Sequence, residues 1–282
     1  MKDRNLFFLW HRIIPGWADL LGKTWFRLHT SRRTVAVDNI VTALKCSEAE
    51  AAGIALRNFV HLARVFLEFP LLPLLNEGNV RYFVSYTGEE NFHRAKNLGP
   101  GILILTGHFG NWELMAYATP LVMKVSLDII ARPLDNALLN RLTTRIRTRT
   151  GNRLIDKNFS FWKMTESLKN GRPVGILLDQ KASQREGIYA PFFGRLVLTH
   201  RALAILACKT SCPVLPVYNY RKSDGTYTVR ALPPLMFEKP TGKAIYEATA
   251  RFNEIFEKII QEHPDQWYWI HRRFRYSKPI NS

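Results

Sequence analysis

The stretch "GILILTGHFGNWE", Gly101 to Glu113, decides the fold. Its first half is continuously apolar, as in a strand covered on both faces. Its second half frames one histidine and one glutamate with Gly107 and Gly110. Asn111 is a natural N-cap, so a helix is expected to begin there, with Glu113 in its first turn and His108 in the loop before it. Strand, glycine turn and helix together make a βα unit, and the chain repeats that rhythm. Strands are expected at "FVSYTG", "GILILT", "LDIIA", "NRLI", "VGILLD", "VLPVYNY" and "YTVRAL". Helices are expected at "EENFHRAKNLG", after Asn111, and at "NALLNRLTTRIRTRTG", "FWKMTESLKNG" and "RALAILACKT", several of them closed by Gly. A further helix carries Phe252, Ile255, Phe256 and Ile259 on one face. The pattern predicts an α/β fold with a mostly parallel central sheet flanked by helices.

Upstream, Ser47 and Glu50 form a capping-box pair, and Ala55, Phe59, Leu62, Phe66 and Phe69 follow at helical steps until Pro70. That spacing predicts an amphipathic helix with one apolar stripe. Before it, "NLFFLWHRIIPGWADLLGKTWFRLHTSRR" mixes aromatic with basic residues. His11, Arg12, Pro15, Asp19 and Lys23 interrupt it, so it lacks the ~20 uninterrupted apolar residues of a membrane span. No small-residue cleavage site follows, which argues against a signal peptide. A helix lying in a membrane interface is expected, with a helix packed on the rest of the protein as the alternative. The organisation expected is an N-terminal helical, membrane-interface segment over 1–75 and an α/β domain over 76–282.

Hydrophobic residues make up 46% of the 282, enough for a substantial core, and the formal charge is +17. Such a basic balance predicts an acidic partner: nucleic acid, an anionic membrane face, a phosphorylated substrate or an acidic carrier protein. Cys46, Cys208 and Cys212 make no disulfide framework. Cys208 and Cys212 read as small core residues, because no second Cys/His pair stands nearby to complete a metal site.

In open α/β sheets, ligands gather at the carboxyl ends of the strands. Two such ends carry polar groups here, giving His108, Glu113 and Asp179. On a continuous helix His108 and Glu113 would lie about 140° apart. Gly107 and Gly110 permit a tight turn instead, through which the two side chains converge. The carboxylate would then fix one imidazole nitrogen and free the other as a base. No G-x-S-x-G elbow and no H-E-x-x-H signature is present, and "GWADLLGKT" fails as a P-loop because Gly16 is one residue too early. Arg141, Arg145 and Arg149 share one helix face while Arg147 points away from it; phosphate or carrier-protein contact is expected of this cluster. Arg132, at a strand end, is a further anion-binding candidate. "WYWIHRRFRY" combines aromatic rings with Arg272, Arg273 and Arg275, suited to base stacking, to lipid headgroups, or to packing at a domain edge.

Taken together, "LTGHFGNWEL", "ARPLDNALLNRLTTRIRTRTG", "LLDQKASQREGIYAPFFGR", "CPVLPVY" and "HPDQWYWIHRRFRY" resemble the bacterial lipid A late acyltransferases, within the lysophospholipid acyltransferase group. The resemblance covers nearly the whole chain. It implies a glycerolphosphate acyltransferase-like fold and an enzyme on the cytoplasmic face of the bacterial inner membrane. It implies transfer of a fatty acyl chain from acyl carrier protein or coenzyme A to a hydroxyl of an anionic membrane lipid. In that family's His-x4-Asp/Glu motif, His108 takes the acceptor proton and Glu113 orients it. Asn111, Arg132, Arg147, Arg149 and Asp179, with Phe193 and Gly194 in "PFFGR", fall where substrate binding is expected. No cofactor, metal or nucleic acid is implied. Arg201, where a small residue is usual, and "KTSCP", in place of Thr-Gly-Ala, depart from the family pattern. The competing readings are a thioesterase or lipid hydrolase using the same pair, and a basic nucleic-acid-binding protein.

Overall fold

The computed structural model describes residues 2–156 and 160–280. Four helices open the chain: α1 (Lys2–Phe8), α2 (Ile14–Leu28), α3 (Thr30–Leu44) and α4 (Glu48–Glu68). The α/β part follows as β1 (Val84–Thr87), α5 (Glu89–Leu98), β2 (Leu103–Thr106), α6 (Trp112–Met123), β3 (Asp128–Ala131), α7 (Ala137–Thr148) and β4 (Arg153–Asp156). It continues as α8 (Ser160–Lys169), β5 (Val174–Leu177), β6 (Gly187–Phe192), β7 (Arg195–His200), α9 (Ala202–Thr210), β8 (Val214–Arg221), β9 (Tyr227–Ala231), α10 (Gly242–Glu262) and β10 (Lys278–Pro279).

The main sheet has the order β1-β9-β8-β2-β5-β3-β4. Among the described residues every neighbour pairing in it is parallel except β8–β9. The seven strands read from the sequence are these seven. A second sheet, β10-β7-β6, has no counterpart in the expected strands. Its β6–β7 hairpin turns at Phe193 and Gly194, both with positive φ (49° and 72°), the sign that two-residue hairpin turns of type I′ require. Pro191 sits inside β6, where it weakens the strand pattern.

The capping box forms as expected: the Ser47 hydroxyl accepts from the Glu50 backbone N–H at 3.3 Å, and the Glu50 carboxylate accepts from the Ser47 N–H at 2.9 Å. The apolar stripe that follows is only partly right. Ala55, Phe59 and Leu62 are buried, but Phe66 is 51% exposed. In its place α4 buries polar groups: Asn58, His61, Arg64 and Glu68. Each meets a partner distant in sequence. Glu68 receives Arg64 Nε at 2.7 Å, Asn111 Nδ2 at 2.8 Å and the Tyr227 hydroxyl at 2.7 Å. His61 Nε2 lies 3.0 Å from the Gly110 carbonyl. Breaking a buried pair such as Arg64–Glu68 on one side costs about 3–5 kcal/mol, so α4 is fastened rigidly beneath the 107–111 loop.

One hydrophobic core joins Ala36, Ile40 and Phe59 of the opening helices to Leu103, Val174 and Trp267 of the α/β part. Leu6, Trp10 and Ile14 are buried, while Phe7, Phe8, Trp17, Leu20, Leu21 and Leu28 face outward. Among the described residues no helix is long and apolar enough to cross a membrane. Cys208 and Cys212 are buried in the core, as their apolar setting predicts.

Candidate active site

The site grows from the ends of three adjacent parallel strands, β2, β5 and β3. Thr106, ending β2, pairs with Leu177, ending β5. The next residues therefore leave the sheet side by side, carrying His108 and Asp179 into contact. His108 Nδ1 lies 2.9 Å from Asp179 Oδ1, and the His108 backbone N–H donates to Oδ2 at 3.0 Å. The Trp267 indole N–H donates to the same oxygen at 2.9 Å. Gly107 makes this approach possible, since a Cβ there would stand 2.9 Å from the Asp179 carboxyl carbon. Gly110 (φ +56°) then turns the chain against Asn219, where a Cβ would fall 2.3 Å from a carbonyl oxygen. Asn111 caps α6, its side chain accepting from the Leu114 N–H at 2.9 Å.

The carboxylate that fixes the imidazole is thus Asp179. This corrects the expectation that Glu113 would do so. Glu113 is gripped instead by Arg147, Nε to Oε2 at 2.9 Å and Nη2 to Oε1 at 2.6 Å, with the Trp112 indole 3.2 Å from Oε1. The sequence placed Asp179 at a strand end beside His108 and Glu113. What it lacked was strand order: only the adjacency of β2 and β5 makes Asp179 the nearer carboxylate.

Electrostatics follow the geometry. Burial opposes ionisation of Asp179, but the neighbouring His108 charge and the hydrogen bonds from His108 and Trp267 hold its carboxyl below the ordinary range. A carboxylate is an acceptor only, so the proton between them sits on His108 Nδ1, an arrangement that in the neutral imidazole leaves the lone pair on Nε2. The His108 side chain is 23% exposed, while that of Asp179 is buried at 2%. An imidazole so held can take a proton at Nε2 from a group in the cleft. Burial lowers the Arg147 guanidinium pKa, but the Glu113 carboxylate more than offsets it, leaving Arg147 above its usual value.

His108, Glu113, Arg132 and Arg147 line one cleft with Gln180, Lys181 and His200. Its volume is about 1570 Å³ including the open mouth. Arg132 stands at the rim, 74% exposed and paired with Asp135 at 2.8 Å. The other candidates lie outside the lining. Asn111 is fully buried beneath the loop. Arg149 ends α7 and reaches the Tyr117 hydroxyl. Phe193 packs in the core with its N–H on Glu257 at 2.8 Å, and Gly194 completes that hairpin turn. Trp267 and Trp269 are 2% and 0% exposed and Arg273 is 1% exposed, so these residues of the C-terminal aromatic–basic run pack inside and do not stack bases. Among the described residues no three His, Cys, Asp or Glu side chains converge as a metal set.

A second cavity, about 790 Å³ including the space open to solvent, adjoins the cleft, sharing Trp112, Ala116, Ile129 and Leu177 with it. It runs between α5 and α6 on one side and the sheet on the other, from Ile129 on β3 to Tyr86 on β1. Its lining residues span five strand spacings of about 4.8 Å each. Its walls are almost wholly apolar, with Ile104, Met115, Met123, Leu127, Leu215 and Val217 prominent.

A sequence model of the bacterial lipid A biosynthesis acyltransferase family matches residues 6–276. The chain belongs to that family. It is 28% identical over 235 residues to the lipid A biosynthesis palmitoleoyltransferase of Escherichia coli, covering 83% of this chain and 75% of the relative. The lauroyltransferase of the same pathway in Escherichia coli is 27% identical over 259 residues, 90% of this chain and 83% of that one. A lipid A biosynthesis acyltransferase of Haemophilus influenzae is 28% identical over 190 residues, 66% of this chain and 60% of its own. The protein is therefore an acyltransferase, and the resemblance read from its motifs holds. The His-x4-Glu stretch, the "TTRIRTRTG" helix end that delivers Arg147 and the strand end that delivers Asp179 all meet around one cleft of this enzyme.

Proposed function

We propose that this acyltransferase moves a fatty acyl chain from a thioester of acyl carrier protein or coenzyme A onto a hydroxyl of a lipid A precursor or a related anionic lipid. The observation that carries the reading is the junction of two unlike spaces at Trp112, whose ring lies 5.1 Å from that of His108: a cleft edged by Arg132, Arg147 and Lys181, and an apolar cavity. The apolar lining of the cavity, reaching from Ile129 on β3 to Tyr86 on β1, suits an acyl chain. The cleft offers Arg132 and Lys181 to an anionic headgroup or to the phosphates of the donor arm.

His108 Nε2 takes the proton of the acceptor hydroxyl, and the oxygen attacks the thioester carbonyl. The tetrahedral adduct collapses, the C–S bond breaks, and the leaving thiolate takes the proton back from the imidazolium. Asp179 holds the imidazole in the required tautomer and balances its charge. Glu113, braced by Arg147, faces the same cleft and orients the acceptor. The acidic carrier protein and the leaflet both complement the basic surface.

Placement at the cytoplasmic face of the inner membrane belongs to the same proposal. Phe7, Phe8, Trp17, Leu20 and Leu21 are exposed beside Arg12 and Lys23, the mixture suited to an interfacial helix. Replacing Trp17, Leu20 and Leu21 with Glu is expected to lower binding to anionic vesicles at least about tenfold, given ~1.5–3 kcal/mol per buried large side chain. Equal flotation of variant and wild type would remove the N-terminal helices as the anchor.

The decisive experiment follows both products with a lipid A precursor and a dodecanoyl carrier-protein thioester. Acylated lipid is expected, lost in His108→Ala. Free fatty acid without acylated lipid would make the protein a hydrolase, and full activity of His108→Ala would remove the base.

A further inference from the structure

Residues 264–276 run from the end of α10 back across the site as a strap. The Gln266 carbonyl accepts the Gly110 N–H at 2.9 Å, and the Tyr268 N–H donates to the His108 carbonyl at 3.1 Å. The opening helices grip the strap from the other side. Asn58 Nδ2 donates to the Asp265 carbonyl at 2.9 Å and Asn39 Nδ2 to the Trp269 and His271 carbonyls, both at 2.7 Å.

Two side chains of the strap stand behind the His108–Asp179 pair. One is Trp267, whose indole N–H reaches Asp179 Oδ2. The other is Arg273, 1% exposed and surrounded by neutral acceptors. It donates to the carbonyls of Gln180 at 3.1 Å and Leu198 at 2.7 Å, to Thr199 Oγ1 at 2.7 Å and to Asn253 Oδ1 at 3.1 Å. The Phe192 ring lies 5.0 Å from its guanidinium carbon. No carboxylate bonds it among the described residues, and its Nε has no partner there.

A buried cation solvated only by dipoles is costly unless an opposite charge lies near. Burial lowers the Arg273 pKa to about 10, and the charge that opposes this fall is Asp179. Asp179 is in the complementary position: a buried carboxylate whose donors are a backbone N–H, an indole and an imidazole. The two charges are joined through one residue, since Arg273 holds the carbonyl of Gln180, next in chain to Asp179.

We infer that Trp267 and Arg273 are positioning residues for the His108–Asp179 pair. The Trp267 indole fixes the rotation of the carboxylate, and Arg273 supplies its buried counter-charge. Through Asp179 the indole holds the orientation of the His108 imidazole, and the guanidinium charge sets how tightly the pair binds its proton. The inference rests on the reading of His108 as base.

Removing the Arg273 charge removes a positive field, so both carboxyl and imidazole bind protons more tightly. The acid limb of kcat/KM, which requires neutral His108, therefore moves to higher pH. In Arg273→Met a loss of kcat of roughly 30-fold, with KM little changed, is expected, and an acid limb about one unit higher. Arg273→Lys, which keeps the charge, restores the wild-type limb and most of kcat. Trp267→Phe lowers kcat while retaining the charge, so its limb stays within a few tenths of a unit of wild type. An unmoved limb in Arg273→Met, or identical profiles for the Met and Lys variants, would overturn the inference. Urea unfolding of wild type, Asp179→Asn, the Arg273 variant and the double variant supplies a test without substrate. Coupled charges predict a double variant less destabilised than the sum of the singles, and additive losses overturn the pairing. If Arg273→Met fails to fold, Arg273→Gln replaces it in the unfolding cycle. Activity retained in His108→Ala would defeat the base reading alone, leaving the unfolding cycle to decide whether Arg273 and Asp179 are coupled.

Discussion

Two carboxylates flank the same histidine, and their surroundings differ in almost every respect. Asp179 lies on the closed side of the 107–111 loop, with its oxygens on a backbone N–H, an indole and an imidazole. Glu113 lies on the open side, in the cleft, gripped by an arginine from a helix that is itself largely exposed. The closed side is built from strand ends and a cross-chain strap, so it cannot move without disturbing the core. The open side is a clasp between α6 and α7, with Glu113 and Arg147 both lining the cleft. The proposed division is that one carboxylate serves the base and the other faces what the base acts upon.

The sharpest way to test that division is to remove the histidine common to both. His108→Ala is expected to lower acyl transfer by about 10³–10⁴-fold with an unchanged urea midpoint. Asp179→Asn comes next. The amide can leave Nδ1 without its acceptor, and a loss in kcat of about 10³-fold is expected with KM nearly unchanged. Glu113→Gln is expected to cost about 10²-fold, divided between kcat and acceptor KM. If Glu113→Gln moves the acid limb of kcat/KM while Asp179→Asn does not, the roles of the two carboxylates are exchanged.

A fourth prediction concerns stability beneath the loop. Burial, with the charge of Arg221 adding to it, lowers the His61 pKa to about 3. Between its unfolded value near 6.5 and that folded value, the unfolded chain binds a proton that the folded one does not. Stability therefore falls as pH drops through this window, by about 3 kcal/mol between pH 6.5 and 4. Urea midpoints of His61→Gln measured across those pH values should vary less than wild type. An unchanged slope would place the acid sensitivity elsewhere, with His271, lowered to about 4 by burial, as the next residue to replace.

The same contrast governs how much was legible in the sequence. The seven strands of the main sheet and the helix start at Asn111 are local patterns, and each formed where the periodicity placed it. Arg147 was separable from the stripe of Arg141, Arg145 and Arg149 by helix geometry alone, and it is the one that turns inward. The identity of the carboxylate on His108 was not local. It depends on β2 and β5 being neighbours, which their separation in sequence does not reveal. The buried face of α4 was hidden for a related reason. Asn58, His61, Arg64 and Glu68 look solvent-facing until residues 110, 111, 225, 227, 265 and 267 arrive to satisfy them. The β6–β7 hairpin was masked by Pro191 and by a turn at Phe193–Gly194 that lacks the usual asparagine or aspartate.

The strap over residues 264–276 has a consequence for the life of the chain. Asn39 meets the Trp269 carbonyl across 230 residues, and Arg32 meets that of Ile270 across 238. Contacts so far apart close late and slowly. On the ribosome, the opening helices and the 107–111 loop emerge well before the segment that locks them. A nascent chain therefore carries His108 before Trp267 is available to hold Asp179. The loop and its lock are thus joined only after the intervening sheet strands have been made.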